Sequence, residues 1–127
     1  MSEGEVSQIV QAAMSIILNA GDAREANLDA IKHLSTFDIP GARKLLAEAH
    51  KKITAAHKTQ TDQIQDETRG KNGGYSLLFT HAQDTMMTIN SEILLTESFL
   101  KVFGAYEKRI SDLEGRLNDR RNYGSKA

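Results

Sequence analysis

The segment Thr80-His81-Ala82-Gln83-Asp84-Thr85-Met86-Met87 sets an imidazole, an amide and a carboxylate within four residues of an apolar-periodic stretch. On a helix, Asp84 and Thr85, three and four residues beyond His81, occupy adjoining faces of the same turn. An imidazole can attack phosphorus through one ring nitrogen while the other is held by a hydrogen bond. Phosphoryl transfer depends mostly on positioning and electrostatics, and a helix N-terminus mildly favours the added dianionic group. The spacing puts His81 on the inward side of its helix, where the commoner role is a hydrogen-bonded core histidine. The residues alone leave both readings standing. Asp84 poses a separate problem, because burying an unpaired carboxylate is costly. Either it points to water, or symmetry gathers several copies around a hard cation such as Mg2+, which takes oxygen ligands in octahedral geometry.

The other histidines carry less. His33 and His50 fall near helix ends or on polar faces and are expected to have plain surface roles. His57 lies close to an apolar face and is expected to be partly buried, hydrogen-bonded to a neighbouring helix. No HExxH or Glu-x-x-His pair occurs, and no glycine-rich phosphate loop follows a strand, so zinc-hydrolase, di-iron and nucleotide-binding readings lack their ligands. A serine triad is assembled in space and cannot be argued from spacing.

Three helices must position these groups. From Val6 to Leu34, apolar residues recur at three- and four-residue spacing, interrupted at Gly21, where a glycine costs about 1 kcal/mol relative to alanine. That glycine marks either a close helix approach or a local kink. Ser35-Thr36-Phe37-Asp38 breaks the pattern. Asp38 is a good N-cap and Pro40 suits a first helical turn. Ala42, Leu45, Leu46, Ala49, Ile53, Ala56 and Ile64 then share one face, which turns polar through Lys58–Gln63, either as a solvated face or as the wall of a polar pocket. Gly70-Lys71-Asn72-Gly73-Gly74 reads as a loop. The third helix carries two apolar stripes, one through Leu78, Ala82, Met86, Ile89, Ile93, Leu100, Phe103 and Ile110, the other through Phe79, Met87, Leu95, Phe99, Val102 and Tyr106. Two stripes exceed what a lone three-helix bundle buries, so an oligomer of bundles is expected. The helices are predicted over about 3–34, 38–69 and 75–110, within one domain spanning 1–110. Residues 111–127 form a charged extension, partly helical or disordered, in which Ile110, Leu113 and Leu117 keep a thin apolar seam.

Composition bounds the function classes. With 39% hydrophobic residues, 26% charged residues and a net charge of −1, the chain lacks the basic surplus of a nucleic-acid binder. The absence of cysteine excludes disulfides and thiolate metal sites and suits a reducing compartment. No apolar run approaches the roughly 20 residues that span a bilayer. The first residues do not read as a signal peptide, so a cytoplasmic location without membrane insertion is expected.

Three colinear motifs decide more than this physics does. Ile17-Leu18-Asn19-Ala20-Gly21-Asp22-Ala23-Arg24, Ala56-His57-Lys58-Thr59-Gln60-Thr61 and Leu77-Leu78-Phe79-Thr80-His81-Ala82-Gln83-Asp84-Thr85-Met86-Met87-Thr88 resemble the lactose/cellobiose-specific IIA component of the bacterial phosphoenolpyruvate-dependent sugar phosphotransferase system. The likeness spans about the first 110 residues. It implies an all-α, antiparallel three-helix bundle assembling as a homotrimer of nine helices. It implies that His81 accepts a phosphoryl group from HPr on Nε2. The group then passes to a cysteine of the IIB component, which phosphorylates a disaccharide of lactose, cellobiose or chitobiose type entering through membrane-bound IIC. Asp84 matches the aspartate that holds one structural divalent ion, usually Mg2+, on the trimer axis, one carboxylate from each subunit. Gln83 and Gln60 are possible pocket residues. Many members carry a second histidine where this chain has Thr85, and that departure sustains an alternative: a non-catalytic helical trimer with a regulatory or scaffold role.

Overall fold

A computed structural model of the chain describes residues 3–70 and 75–125. Three helices account for nearly all of them: α1 (Glu3–Leu34), α2 (Ile39–Thr68) and α3 (Leu77–Ser125), with no strand among the described residues. The all-α expectation holds. Interhelical pairs give the topology. Gln8 reaches Asp66 and Asp22 reaches Lys52, so α1 and α2 run antiparallel. His50 pairs with Glu97 and Gln60 with Gln83, so α2 and α3 are antiparallel too. Arg24 grips Glu92 through two bonds of 3.0 and 2.8 Å, joining parallel α1 and α3 at mid-height.

The core follows from the helical period. Ala13, Ile16, Ala20, Ala23 and Ala30 of α1 are buried against Ala42, Leu46, Ala49, Ile53 and Ala56 of α2 and Ala82, Met86, Ile89 and Ile93 of α3. The many alanines allow close approach of the helices, while Ile16, Met86, Ile89 and Ile93 supply most of the large fully buried volume. Gly21 is exposed, no neighbour within 4 Å would meet a Cβ there, and α1 runs through it as helix. The second stripe of α3 is left uncovered beyond Phe79, which packs against the core: Met87, Leu95, Phe99, Val102 and Tyr106 are all exposed, and so are Phe103 and Ile110, expected on the inner stripe but lying past the end of the bundle. On α2 the inward position falls to Gln63, and Ile64, expected on the apolar face, is exposed. One step along a helix rotates a side chain by 100°, enough to exchange the two.

The α1–α2 turn is built around Asp38. Phe37 adopts the left-handed conformation (φ 58°), the Phe37 amide donates to the Leu34 carbonyl and the Asp38 amide to that of His33, which closes α1 as a Schellman turn. The Asp38 carboxylate then caps α2 by accepting from the Gly41 amide at 3.0 Å, with Pro40 in the first turn. At the other end of α2, Gly70 takes a positive φ of 76° just past the helix, and residues 71–74 of the expected loop lie outside the described residues. α3 does not stop near residue 110. It is helical to Ser125, 49 residues or roughly 74 Å at 1.5 Å per residue. The charged segment has no proline to break it, and its Glu, Lys, Arg and Leu residues favour helix.

Candidate functional site

α3 starts at a serine cap: the Ser76 hydroxyl accepts from the Phe79 amide at 3.2 Å, and the first helical bond runs from the Thr80 amide to the Ser76 carbonyl. His81 therefore sits one turn inside the helix, close enough to its positive end for a mild attraction to an anionic group. Ala82 and Met86, fully buried, define the core face. His81 is turned about 100° from Ala82 and is exposed, which corrects the expected inward placement. A solvent-facing imidazole is the one that a partner protein can reach.

About 200° around the same turn, the Gln60 amide donates to the Gln83 carbonyl oxygen at 2.8 Å, tying α2 to α3. Both glutamines are half-buried. Gln83 and Thr80 also line a cleft of about 340 Å3 at this end of the bundle, completed by Gln63, Glu67, Tyr75 and Ser76 among others. His81 stands on the same turn as Thr80 and Gln83 but outside that lining. Buried Gln63 is a residue that the sequence reading missed. Its place in the polar run after Ala56 was the available signal.

Thr85 does not reach into this space. Its hydroxyl donates back to the His81 carbonyl at 2.9 Å, the usual recourse of a mid-helix threonine. Asp84 is exposed, about 200° around the helix from buried Ala82. It stands five whole turns before exposed Val102 and so continues the second apolar stripe. No three metal-binding side chains of one chain come together among the described residues. A lone carboxylate suits a hard, oxygen-seeking ion only where further copies supply the remaining oxygens.

The remaining histidines are more engaged than expected. His33 Nδ1 lies 2.7 Å from the Asp38 carboxylate, and His50 Nε2 bonds Glu97 of α3. The interhelical hydrogen bond expected of half-buried His57 is thus made by His50, two turns earlier on the same side of α2. The Glu92 hydrogen bond holds the Arg24 guanidinium firmly protonated, its pKa raised above the usual range. Arg24 belongs to the first of the three motifs, and its partner is 68 residues away in sequence.

Residues 11–104 match the family described as "PTS system, Lactose/Cellobiose specific IIA subunit". The chain belongs to the lactose/cellobiose IIA family. Within it, the chain is 33% identical over 104 residues to the lichenan-specific phosphotransferase enzyme IIA component of Bacillus subtilis, covering 82% of this chain and 89% of that one. It is 30% identical over 109 residues to the lactose-specific EIIA component of Lacticaseibacillus casei, covering 86% and 94%. The crystal structure of the cellobiose-specific enzyme IIA from Bacillus anthracis superposes with a TM-score of 0.74 at 29% identity, over 85% of this chain and 94% of that one. IIA membership makes the chain a component of a sugar phosphotransferase system, with phosphoryl relay in sugar uptake as its role. No helix among the described residues is long and apolar enough to cross a membrane.

Proposed function

We propose that the chain is a phosphohistidine carrier that takes a phosphoryl group from HPr on His81 and hands it to a cysteine of its IIB component during disaccharide uptake. The observation that carries this reading is the exposure of His81, one turn into α3 within the family's own motif. In the first step an imidazole nitrogen of His81 forms a bond to phosphorus as the bond to the HPr histidine breaks. In the second, the IIB thiolate attacks the same phosphorus and His81 leaves as a neutral imidazole. Neither step needs a general base on this chain, because the attacking imidazole nitrogen in the first and the attacking thiolate in the second already carry the electron pairs, and each leaving nitrogen takes the pair of the bond that breaks. Gln83 and Gln60, bonded to each other between α2 and α3, are its suggested pocket residues. The Thr85 hydroxyl, engaged by its own backbone, leaves the acceptor imidazole unassisted from that position. The non-catalytic alternative, raised by Thr85, is not favoured, since the acceptor His81 is present and exposed.

Incubation with phosphoenolpyruvate, enzyme I and HPr is expected to label the protein at an acid-labile site, and His81→Gln to abolish the label. Normal uptake by His81→Gln would sink the assignment.

In the same reading three copies assemble around Asp84, one carboxylate from each, with Mg2+ as the structural ion. The exposed apolar stripe beyond Asp84 supports self-association. Asp84→Leu is expected to keep or strengthen the trimer and to lose the ion, because packed apolar groups often replace gathered charge well. One tightly bound divalent ion per trimer in Asp84→Leu, measured by elemental analysis, would rule out the axial role.

A further inference from the structure

The cleft at the end of the bundle holds a polar group with nothing to bind. Gln63 is 8% exposed and lines the cleft, yet its side-chain amide makes no hydrogen bond with any described residue. An unpaired buried amide is costly, so native structures nearly always give one a partner in protein, water or ligand. One turn further along α2, the Glu67 carboxylate lines the same cleft and likewise has no hydrogen bond or ion pair among the described residues.

The first turns of α3 contribute the remaining polar groups. The Ser76 hydroxyl accepts from the Phe79 amide, which leaves its own proton free to donate. Gln83 accepts from Gln60 through its carbonyl oxygen, which leaves its amide nitrogen free. Half-buried Phe79 and buried Ile9 add apolar surface to the lining. These groups select a ligand by elimination. An anion would meet Glu67, and a cation would meet the positive end of α3. A metal ion lacks its donors, since no three metal-binding side chains gather among the described residues. An apolar molecule would leave the Gln63 amide and the Glu67 carboxylate desolvated and unpaired. A neutral hydroxyl group donates to the carboxylate and accepts from the amide nitrogens, and a polyol does both at once. The C–H face of a sugar ring suits Phe79 and Ile9. At about 340 Å3 the cleft stands at the small end of ligand pockets, with room for roughly one or two sugar rings.

We propose that this cleft is a saccharide-binding site, in which Gln63 and Glu67 of α2 and Ser76 and Gln83 of α3 hold the hydroxyl groups of an unphosphorylated mono- or disaccharide. The site does not rest on phosphoryl transfer. His81 is turned about 200° from Gln83 around α3, so the cleft can fill whichever state the imidazole is in.

The test is an NMR titration of the full, isotopically labelled chain with cellobiose. The side-chain amide signals of Gln63 and Gln83 are expected to shift saturably, while that of Asn27 stays in place. Gln63→Leu should weaken binding by roughly tenfold, as the loss of one or two hydrogen bonds requires. Because Gln63 is buried, a second variant at an exposed position, Glu67→Ala, keeps the test independent of folding; it should weaken binding severalfold with helical content unchanged. Glucose 6-phosphate is expected to bind more weakly than cellobiose. Three outcomes overturn the inference. The absence of saturable shifts at tens of millimolar cellobiose would mean that water alone satisfies Gln63. Full affinity in either variant would mean that the sugar binds elsewhere. Tighter binding of glucose 6-phosphate would make the ligand an anion. Phosphoryl labelling of His81 in the same samples separates the two readings: saccharide binding without label rejects the relay alone, and label without saccharide binding rejects this site alone.

Discussion

Asp38 serves two helices at once: its amide closes α1 on His33 and its carboxylate opens α2 on Gly41. A Cβ on Gly41 would collide with that carboxylate and come within 2.7 Å of His33 Nδ1, so the glycine is what lets the three groups meet. The His33 hydrogen bond, and after it the Gly41 amide, hold the Asp38 carboxyl below its ordinary range. A depressed folded-state pKa contributes stability that is complete above the unfolded value, about 3.9, and is lost as pH falls through the folded one. Thermal melts from pH 6 to pH 2 should therefore show Asp38→Asn less stable than the parent at pH 6, with the gap closing below about pH 4. A gap that persists unchanged to pH 2 would remove the carboxylate from the explanation. The cap was legible in the sequence because capping is local. The His33 contact also lies within five residues, yet it depends on the left-handed turn at Phe37, which no pattern announces.

At the scale of the helix, α1 carries one polar residue on its buried face. Asn27 falls between Ala23 and Ala30 on the core stripe and is 2% exposed, and its Oδ1 has no hydrogen-bond partner. A buried acceptor left unpaired costs roughly 1–3 kcal/mol, whereas an apolar group of similar shape avoids that cost. Asn27→Leu is expected to raise the melting temperature. Ile16→Ala, three turns away and fully buried, should lower stability by roughly 2–5 kcal/mol in denaturant titrations. If Asn27→Leu also destabilises by more than about 1 kcal/mol, its amide is making a contact that the single chain does not contain. Helical period made the core face of each element readable, down to the alanines. It could not decide between Gln63 and Ile64, which differ by one step on a helix whose rotation is set by its neighbours.

The whole molecule is a short bundle with one long helix, and its uncovered surface is concentrated on that helix. Leu95 is 55% exposed and lies three turns beyond Asp84 on the same side of α3. Leu95→Glu should leave helical content and the melting of the single bundle intact while shifting sedimentation toward the monomer. An unchanged sedimentation coefficient at micromolar concentration would show that this stripe does not carry self-association. Arg24 and Glu92, 42% and 39% exposed in the single chain, add a modest clasp worth about 0.2–1 kcal/mol at such exposure.

Read alone, the residues determine the three helices, the inward faces, the Asp38 cap and the candidacy of His81, because period, capping and motif act over a few turns. The exposure of His81, the Gln60–Gln83 bond across α2 and α3, the Arg24–Glu92 clasp and the return of the Thr85 hydroxyl to its own helix were decided by the tertiary structure. Each depends on the rotation of one helix against another, or on which neighbour fills the space around a side chain. Packing of distant segments sets that, and one-dimensional spacing does not contain it.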